Sequence, residues 1–212
     1  GLTYDTVYLG GGTPSLLTAK QISDILSAAD ISDGAEISME CNPESADFAY
    51  LCGLRSAGVN RVSFGIQSLE DCELAVLGRL HNADKACEAV LSAHRAGFEN
   101  ISADLMLAIP MQTSESLNST LDRLMKLPLT HVSAYLLKVE KGTPLSFDSL
   151  LLEKVPDEDE TADMYLAAAK KLSAAGFEQY EISNFARNGF ECRHNLKYWR
   201  CGEYFGIGPS AH

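Results

Sequence analysis

The chain has 212 residues, 46% of them hydrophobic and 8% aromatic, which is enough for one sizeable domain or a piece of a larger one. Charged residues make up 22%, an ordinary globular share that excludes wholesale disorder. A formal net charge of −12 argues against non-specific nucleic-acid binding, which needs lysine and arginine to displace counterions. No apolar run approaches the roughly 20 residues of a membrane-spanning helix. Cys41, Cys52, Cys72, Cys87, Cys192 and Cys201 are scattered without a CxxC pair, so a reducing cytoplasm is expected and a disulfide framework is not. The start at Gly1 and the stop at His212, directly after a glycine-rich turn, read as cuts from a longer protein.

Taken in chain order, short β-branched runs alternate with helical patterns. Strands are expected at 6–9, 36–39, 61–66, 101–107 and 132–137. Helices are expected at 21–29, 48–57, 69–77, 84–96 and 115–127. Thr18 and Gln21 form a capping box for the first, and Gly58 and Gly97 sit where helix C-caps belong. Five βα units in a row imply a parallel sheet, either a whole or partial barrel or an open doubly wound sheet. After Leu137 the pattern changes. Lys141-Gly142-Thr143-Pro144 is a turn, and Pro156 to Glu160 opens a helix running to about Ala175 whose acidic start complements the helix dipole. From Tyr180 to His212 the chain is aromatic and glycine-rich. The α/β class is therefore clear, with a division expected between 1–140 and 141–212.

In parallel βα folds, function gathers at the carboxyl ends of the strands. There the chain places Gly10-Gly11-Gly12-Thr13-Pro14, then Glu40-Cys41-Asn42-Pro43, Gly65 to Gln67, Asp104 and Tyr135. A glycine loop, an amide and two carboxylates converge on one rim and suit a polar ligand carrying donors as well as acceptors. Arg79, after the third strand, suits a ligand carboxylate. The glycine loop is a poor dinucleotide fingerprint, because Pro14 interrupts it and the helix cap comes only at Thr18. A tight structural turn and a close backbone approach to a ligand both fit it.

These residues resemble a known family. Gly10-Gly11-Gly12-Thr13-Pro14-Ser15 after a strand is similar to the GGTP loop of radical S-adenosylmethionine (SAM) proteins. Glu40 to Pro43, Arg61 to Ser68, Leu77 to His81, Ile101 to Leu105 and Gly206 to His212 resemble the oxygen-independent coproporphyrinogen III oxidase-like group. His194-Asn195-Leu196-Lys197-Tyr198-Trp199 matches the HNxxYW pattern of the HemW-type heme chaperones within it, and Glu181 to Ala186 is similar to that branch too. The resemblance implies a partial (β/α) barrel with a [4Fe-4S] cluster and SAM on its open iron, cut at both ends, with the heme-associated segment beginning in 141–212. Gly11, Gly12 and Thr13 would meet the amino and carboxylate groups of SAM. Glu40, Gln67, Arg79 and Asp104 would hold its other polar parts. His194, Asn195, Tyr198 and Trp199 would bind heme, destined for the apo-forms of heme-dependent respiratory enzymes, with peripheral membrane association through that target.

Two departures from the family stand out. The CxxxCxxC triplet that holds the cluster is absent, so its ligands are expected upstream of Gly1 and no metal ligand is expected in this chain. Leu107-Ala108-Ile109-Pro110-Met111 lies where the family usually carries glycines. From chemistry alone His194 also reads as a hydrogen-bonded histidine of a structural turn, with Trp199 as core; Cys192 is a weaker heme ligand, and Cys192, His194 and Cys201 fit no standard zinc spacing. The rival functions are the coproporphyrinogen III dehydrogenase, by radical oxidative decarboxylation, and a plain barrel enzyme, for which Lys138 is the one lysine near a strand end.

Overall fold

The computed structural model describes residues 1–208. Its seven strands are β1 (Tyr4–Leu9), β2 (Ile31–Cys41), β3 (Arg61–Gln67), β4 (Asn100–Leu107), β5 (His131–Leu136), β6 (Glu178–Gln179) and β7 (Asn184–Ala186). They form one sheet in the order β1-β2-β3-β4-β5-β7-β6. The first five are mutually parallel and in sequential order, and β7 joins β5 antiparallel. The helices are α1 (Ala19–Ser27), α2 (Phe48–Ala57), α3 (Asp71–Val76), α4 (Ala83–Arg95), α5 (Ser114–Leu124), α6 (Ser149–Leu152), α7 (Glu158–Ala174) and α8 (Arg193–Trp199).

Local chemistry explains the boundaries. Thr18 and Gln21 make the reciprocal capping box that starts α1, and Asp157 with Glu160 does the same for α7. The acidic start of α7 therefore caps and complements its dipole, as expected. α2 ends on Gly58 in the left-handed conformation. The alternation along each strand then sets two unlike faces. Ile37 and Met39, Val62 and Phe64, Ala103 and Leu105, and Val132 and Ala134 point to the helices and form the buried core with Leu51, Val90, Leu121 and Leu172. Each of the valine, leucine, isoleucine, phenylalanine and methionine side chains among them contributes about 1.5–3 kcal/mol through burial. The opposite face carries Thr6, Tyr8, Glu36, Ser38, Glu40, Arg61, Ser63, Asp104, His131 and Ser133, so the concave side of the half-barrel is polar.

The C-terminal part diverges from a continued βα alternation. β7 is antiparallel, and its register sets His131 opposite Ala186 and Ser133 opposite Asn184. One sheet thus spans both sides of residue 140. α8 then returns against β1 on the concave side.

The glycine-poor turn after β4 has its own strain. Ala108 and Met111 hold φ of 60° and 70°, a left-handed conformation that costs a residue with a Cβ about 1–2 kcal/mol. Glycine is therefore the better residue at 111. Met111→Gly is expected to be more stable than Met111→Ala by about 1 kcal/mol in urea unfolding, the reverse of the order in a helix or strand.

Candidate functional site

A cavity of about 250 Å³ opens at the carboxyl ends of the strands. Glu40 organises its upper wall. One carboxylate oxygen accepts the Tyr8 hydroxyl at 2.9 Å, and the other accepts the Gly11 backbone N–H at 3.2 Å. Gly11 and Gly12 have φ of 76° and 58°, and a Cβ on either would meet nothing within 4 Å. The loop edge thus lies open, and glycine is required by the backbone rather than by crowding.

The opposite wall comes from β3 and the segment after it. Arg79 Nη2 donates to the Gly65 carbonyl at 3.0 Å and to Asn42 Oδ1 at 3.2 Å. A Cβ at Gly65 would stand 3.1 Å from that guanidinium and 3.3 Å from Gln67 Nε2, so glycine keeps both side chains in place. Gln67 itself takes φ of 67°, and its buried Oε1 has no hydrogen-bond partner among the described residues. Backbone strain and an orphaned acceptor thus meet at one position on the cavity wall. Asp104 accepts Ser63 Oγ at 3.1 Å. Burial pushes its carboxyl up to about 6, against the pull of the Ser133 and Ser63 hydroxyls and Arg61.

Deeper in the lumen, charge is enclosed. Arg61 is 2% exposed, and its Nε has no partner among the described residues. Burial opposes its charge, yet Cys192, Glu36, Tyr8 and Tyr180 hold its pKa above the ordinary value. His131 bonds Ser102 Oγ through Nδ1 and the Tyr180 hydroxyl through Nε2, both at 2.8 Å. Burial, reinforced by Arg61, keeps that imidazole neutral. Glu36 accepts the backbone N–H groups of Arg193 and His194, each at 3.0 Å, and thereby fastens the first turn of α8 to β2.

Gly12, Thr13, Glu40, Gln67 and Asp104, at or just after strand ends, and Arg79, in the loop after α3, line the same cavity. Gly11 serves it through Glu40. Asn195, grouped by its motif with His194, lines the same cavity. His194 lies beside β1, half-buried, and Tyr198 and Trp199 are 47% and 56% exposed. Trp199 is therefore not a core residue. Cys192 is wholly buried with its thiol directed at Glu36, whereas Cys201 is exposed. All six cysteines are free, and among the described residues no group of three histidine, cysteine or acidic side chains is placed to hold a metal ion. Of the glycine-rich motif at 206–212, residues 209–212 lie outside the described part. Sequence reasoning missed Thr6, Glu36 and the role of Arg61. The one signal for them was a charged residue at an inward position of a strand, at Glu36 and at Arg61.

Comparison with known proteins gives a consistent result. Residues 2–124 match the family described as the radical SAM superfamily. "Radical S-adenosyl methionine domain-containing protein 1, mitochondrial" of Bos taurus is 42% identical over 214 residues, covering 98% of this chain and 48% of the relative. "Heme chaperone HemW" of Mycobacterium tuberculosis is 41% identical over 215 residues, with 99% and 55% covered. The protein of that name from Bacillus subtilis is 39% identical over 215 residues, with 98% and 56% covered. The chain thus spans about half the length of the curated relatives it matches. In three dimensions it resembles coproporphyrinogen III oxidase (HemN) from Escherichia coli, a radical SAM enzyme, with a TM-score of 0.76, 24% identity, and 93% of this chain and 46% of that one covered. That likeness shows the fold alone.

Asp104 gives the site a measurable pH signature. Its pKa rises from 3.8 unfolded to about 6 folded, so the native state binds the extra proton between those values. Stability therefore falls as pH rises through that window. Asp104→Asn is expected to stabilise the protein by about 2–3 kcal/mol at neutral pH, the order of the shift between those two values. The gain should fade as the pH approaches 4, and urea unfolding across pH checks it.

Proposed function

This chain belongs to the radical SAM superfamily, and from that premise we propose that its protein is a heme chaperone whose barrel carries SAM and whose α8 carries heme. The observation that carries the reading is the set of curated heme chaperones about 40% identical along nearly the whole chain. The polar cavity supports its SAM half. SAM brings an ammonium, a carboxylate and ribose hydroxyls, and the cavity offers partners for each.

In this reading the ammonium lies between Glu40 and the open Gly11-Gly12-Thr13 loop, where a carboxylate and carbonyl oxygens accept its hydrogens. The orphaned Gln67 Oε1 accepts from a ligand hydroxyl or amine, which removes the desolvation cost of leaving it unpaired. Arg79, fixed by Gly65 and Asn42, presents its remaining N–H groups to the carboxylate. Asp104, held by Ser63, accepts from a ligand hydroxyl above its raised pKa. Asn195 closes the cavity from below. The residues present therefore fit SAM, which when bound to a reduced cluster supplies a carbon radical.

The cluster itself is a different matter. The six cysteines of this chain are scattered and do not form its ligand set. Heme binding is assigned to His194, with Asn195, Tyr198 and Trp199 from the same helix. Burial holds the His194 imidazole below its ordinary pKa, so it is neutral and has a lone pair available at physiological pH. Exposed Tyr198 and Trp199 offer aromatic faces to a porphyrin. The acceptors are apo-forms of heme-dependent respiratory enzymes, which the protein meets from the cytoplasm. Among the described residues no helix is long and apolar enough to cross a membrane.

The test is a heme titration of the full-length protein followed by its Soret band, beside His194→Ala. Saturable binding that weakens at least about tenfold in the variant is the expected result, the loss of one metal ligand or its orientation. Absence of any heme binding would overturn the reading and direct the assay to anaerobic turnover of coproporphyrinogen III. Glu40→Gln is expected to weaken SAM binding about tenfold in calorimetry, the loss of one charge-assisted hydrogen bond.

A further inference from the structure

His194 is held from β1 and β2 by groups outside its own motif. Its Nδ1 stands 2.9 Å from Thr6 Oγ1 on β1. Its ring stacks on Tyr8, with centroids 5.2 Å apart and planes 24° apart. On its other edge Nε2 lies 3.4 Å from the Tyr198 hydroxyl. Glu36 grips the backbone N–H of His194 itself, so the helix cannot slide along β1 without leaving a buried carboxylate unpaired.

A neutral imidazole carries one N–H and one lone pair, and the surroundings decide which nitrogen has which. A phenol is a stronger donor than an aliphatic hydroxyl. Tyr198 therefore donates to the Nε2 lone pair, and Nδ1–H donates to Thr6. The shorter contact, on a buried threonine of a β-strand, is the fixed one. The longer contact is to a half-exposed side chain of the same helix and yields easily. A histidine that ligates a metal uses this same arrangement, with one nitrogen on the metal and the other N–H donated to a protein acceptor.

We propose that Thr6 is the positioning residue of His194: it takes the Nδ1 hydrogen, fixes the tautomer and leaves Nε2 as the iron ligand, with Tyr198 holding that lone pair until heme displaces it. Tyr8 braces the ring from below. The proposal rests on the heme reading above for the ligand, while the tautomer itself stands apart from it.

The experiment separates the two. Full-length protein labelled with ¹⁵N-histidine, free of heme, is examined by long-range ¹H–¹⁵N correlation, and the His194 signals are identified by their loss in His194→Ala. The expected result is Nδ1 protonated and Nε2 bare in the wild type, with a mixture of tautomers in Thr6→Val. In heme titrations Thr6→Val should weaken binding by about 10–100-fold and shift the Soret band, and Thr6→Ser should restore both. A wild-type ring protonated at Nε2 overturns the proposal. So does wild-type heme affinity in Thr6→Val, or a Thr6→Ser variant no better than Thr6→Val. Should His194→Ala bind heme like the wild type, the iron ligand lies elsewhere and the ligand half of this proposal falls. The tautomer pattern then decides only whether Thr6 sets the ring.

Discussion

A buried carboxylate, Glu36, ties the two ends of this chain together. The concave face of the half-barrel is polar, and polar groups removed from water must find partners or cost several kcal/mol each. Glu36 meets that requirement by accepting two backbone N–H groups from the first turn of α8 and the thiol of Cys192, more than 150 residues away in sequence. The helix gains acceptors for donors its own geometry leaves free, and its partial positive end offsets the carboxylate. Arg61 completes the balance, since Glu36 is among the groups that keep its buried guanidinium charged. α8 docks through such polar contacts, with His194 on Thr6 and Tyr8 and Lys197 on Asp5 beside them, because none of its residues is fully buried.

The same division of faces explains what the sequence shows and what it hides. The outward face of each parallel strand packs on helices, so Val62, Phe64, Ile66 or Ala103, Leu105, Leu107 recur with period two and announce a strand. Capping chemistry is equally local, and Thr18 with Gln21 is read directly. The strand ends then bring Glu40, Gln67 and Asp104 to one cavity, as parallel topology requires, and Arg79 joins them from the loop after α3 through its bonds to Gly65 and Asn42. β7 is only three residues long and β6 two, too short for any periodicity to register. α8 escapes for another reason: its docked face meets a polar lumen, so it carries no apolar stripe. Thr6 and His194 lie 188 positions apart, and nothing in either residue's surroundings in sequence links them.

Ala108 and Met111 show the limit of reading a family pattern as a geometric requirement. The family usually has glycines in this turn, and their absence here suggests a changed loop. The backbone takes left-handed conformations at Ala108 and Met111, and these residues bear the strain. The turn is fixed from outside: Met111 N–H donates to the Lys154 carbonyl, and Gln112 reaches Glu73 through its side-chain amide. Those contacts, with Leu107 and Ile109 fully buried on the core side, outweigh a local cost of a few kcal/mol.

Tyr8 makes the two proposed sites physically continuous. Its hydroxyl donates to Glu40, which also accepts the Gly11 N–H, while its ring lies under His194. Burial, with Glu40 and Asp104 adding to it, drives the phenol pKa upward, so the hydroxyl keeps its proton and its role as donor. The side chain thus serves both proposed sites through different atoms, the hydroxyl at Glu40 and the ring at His194.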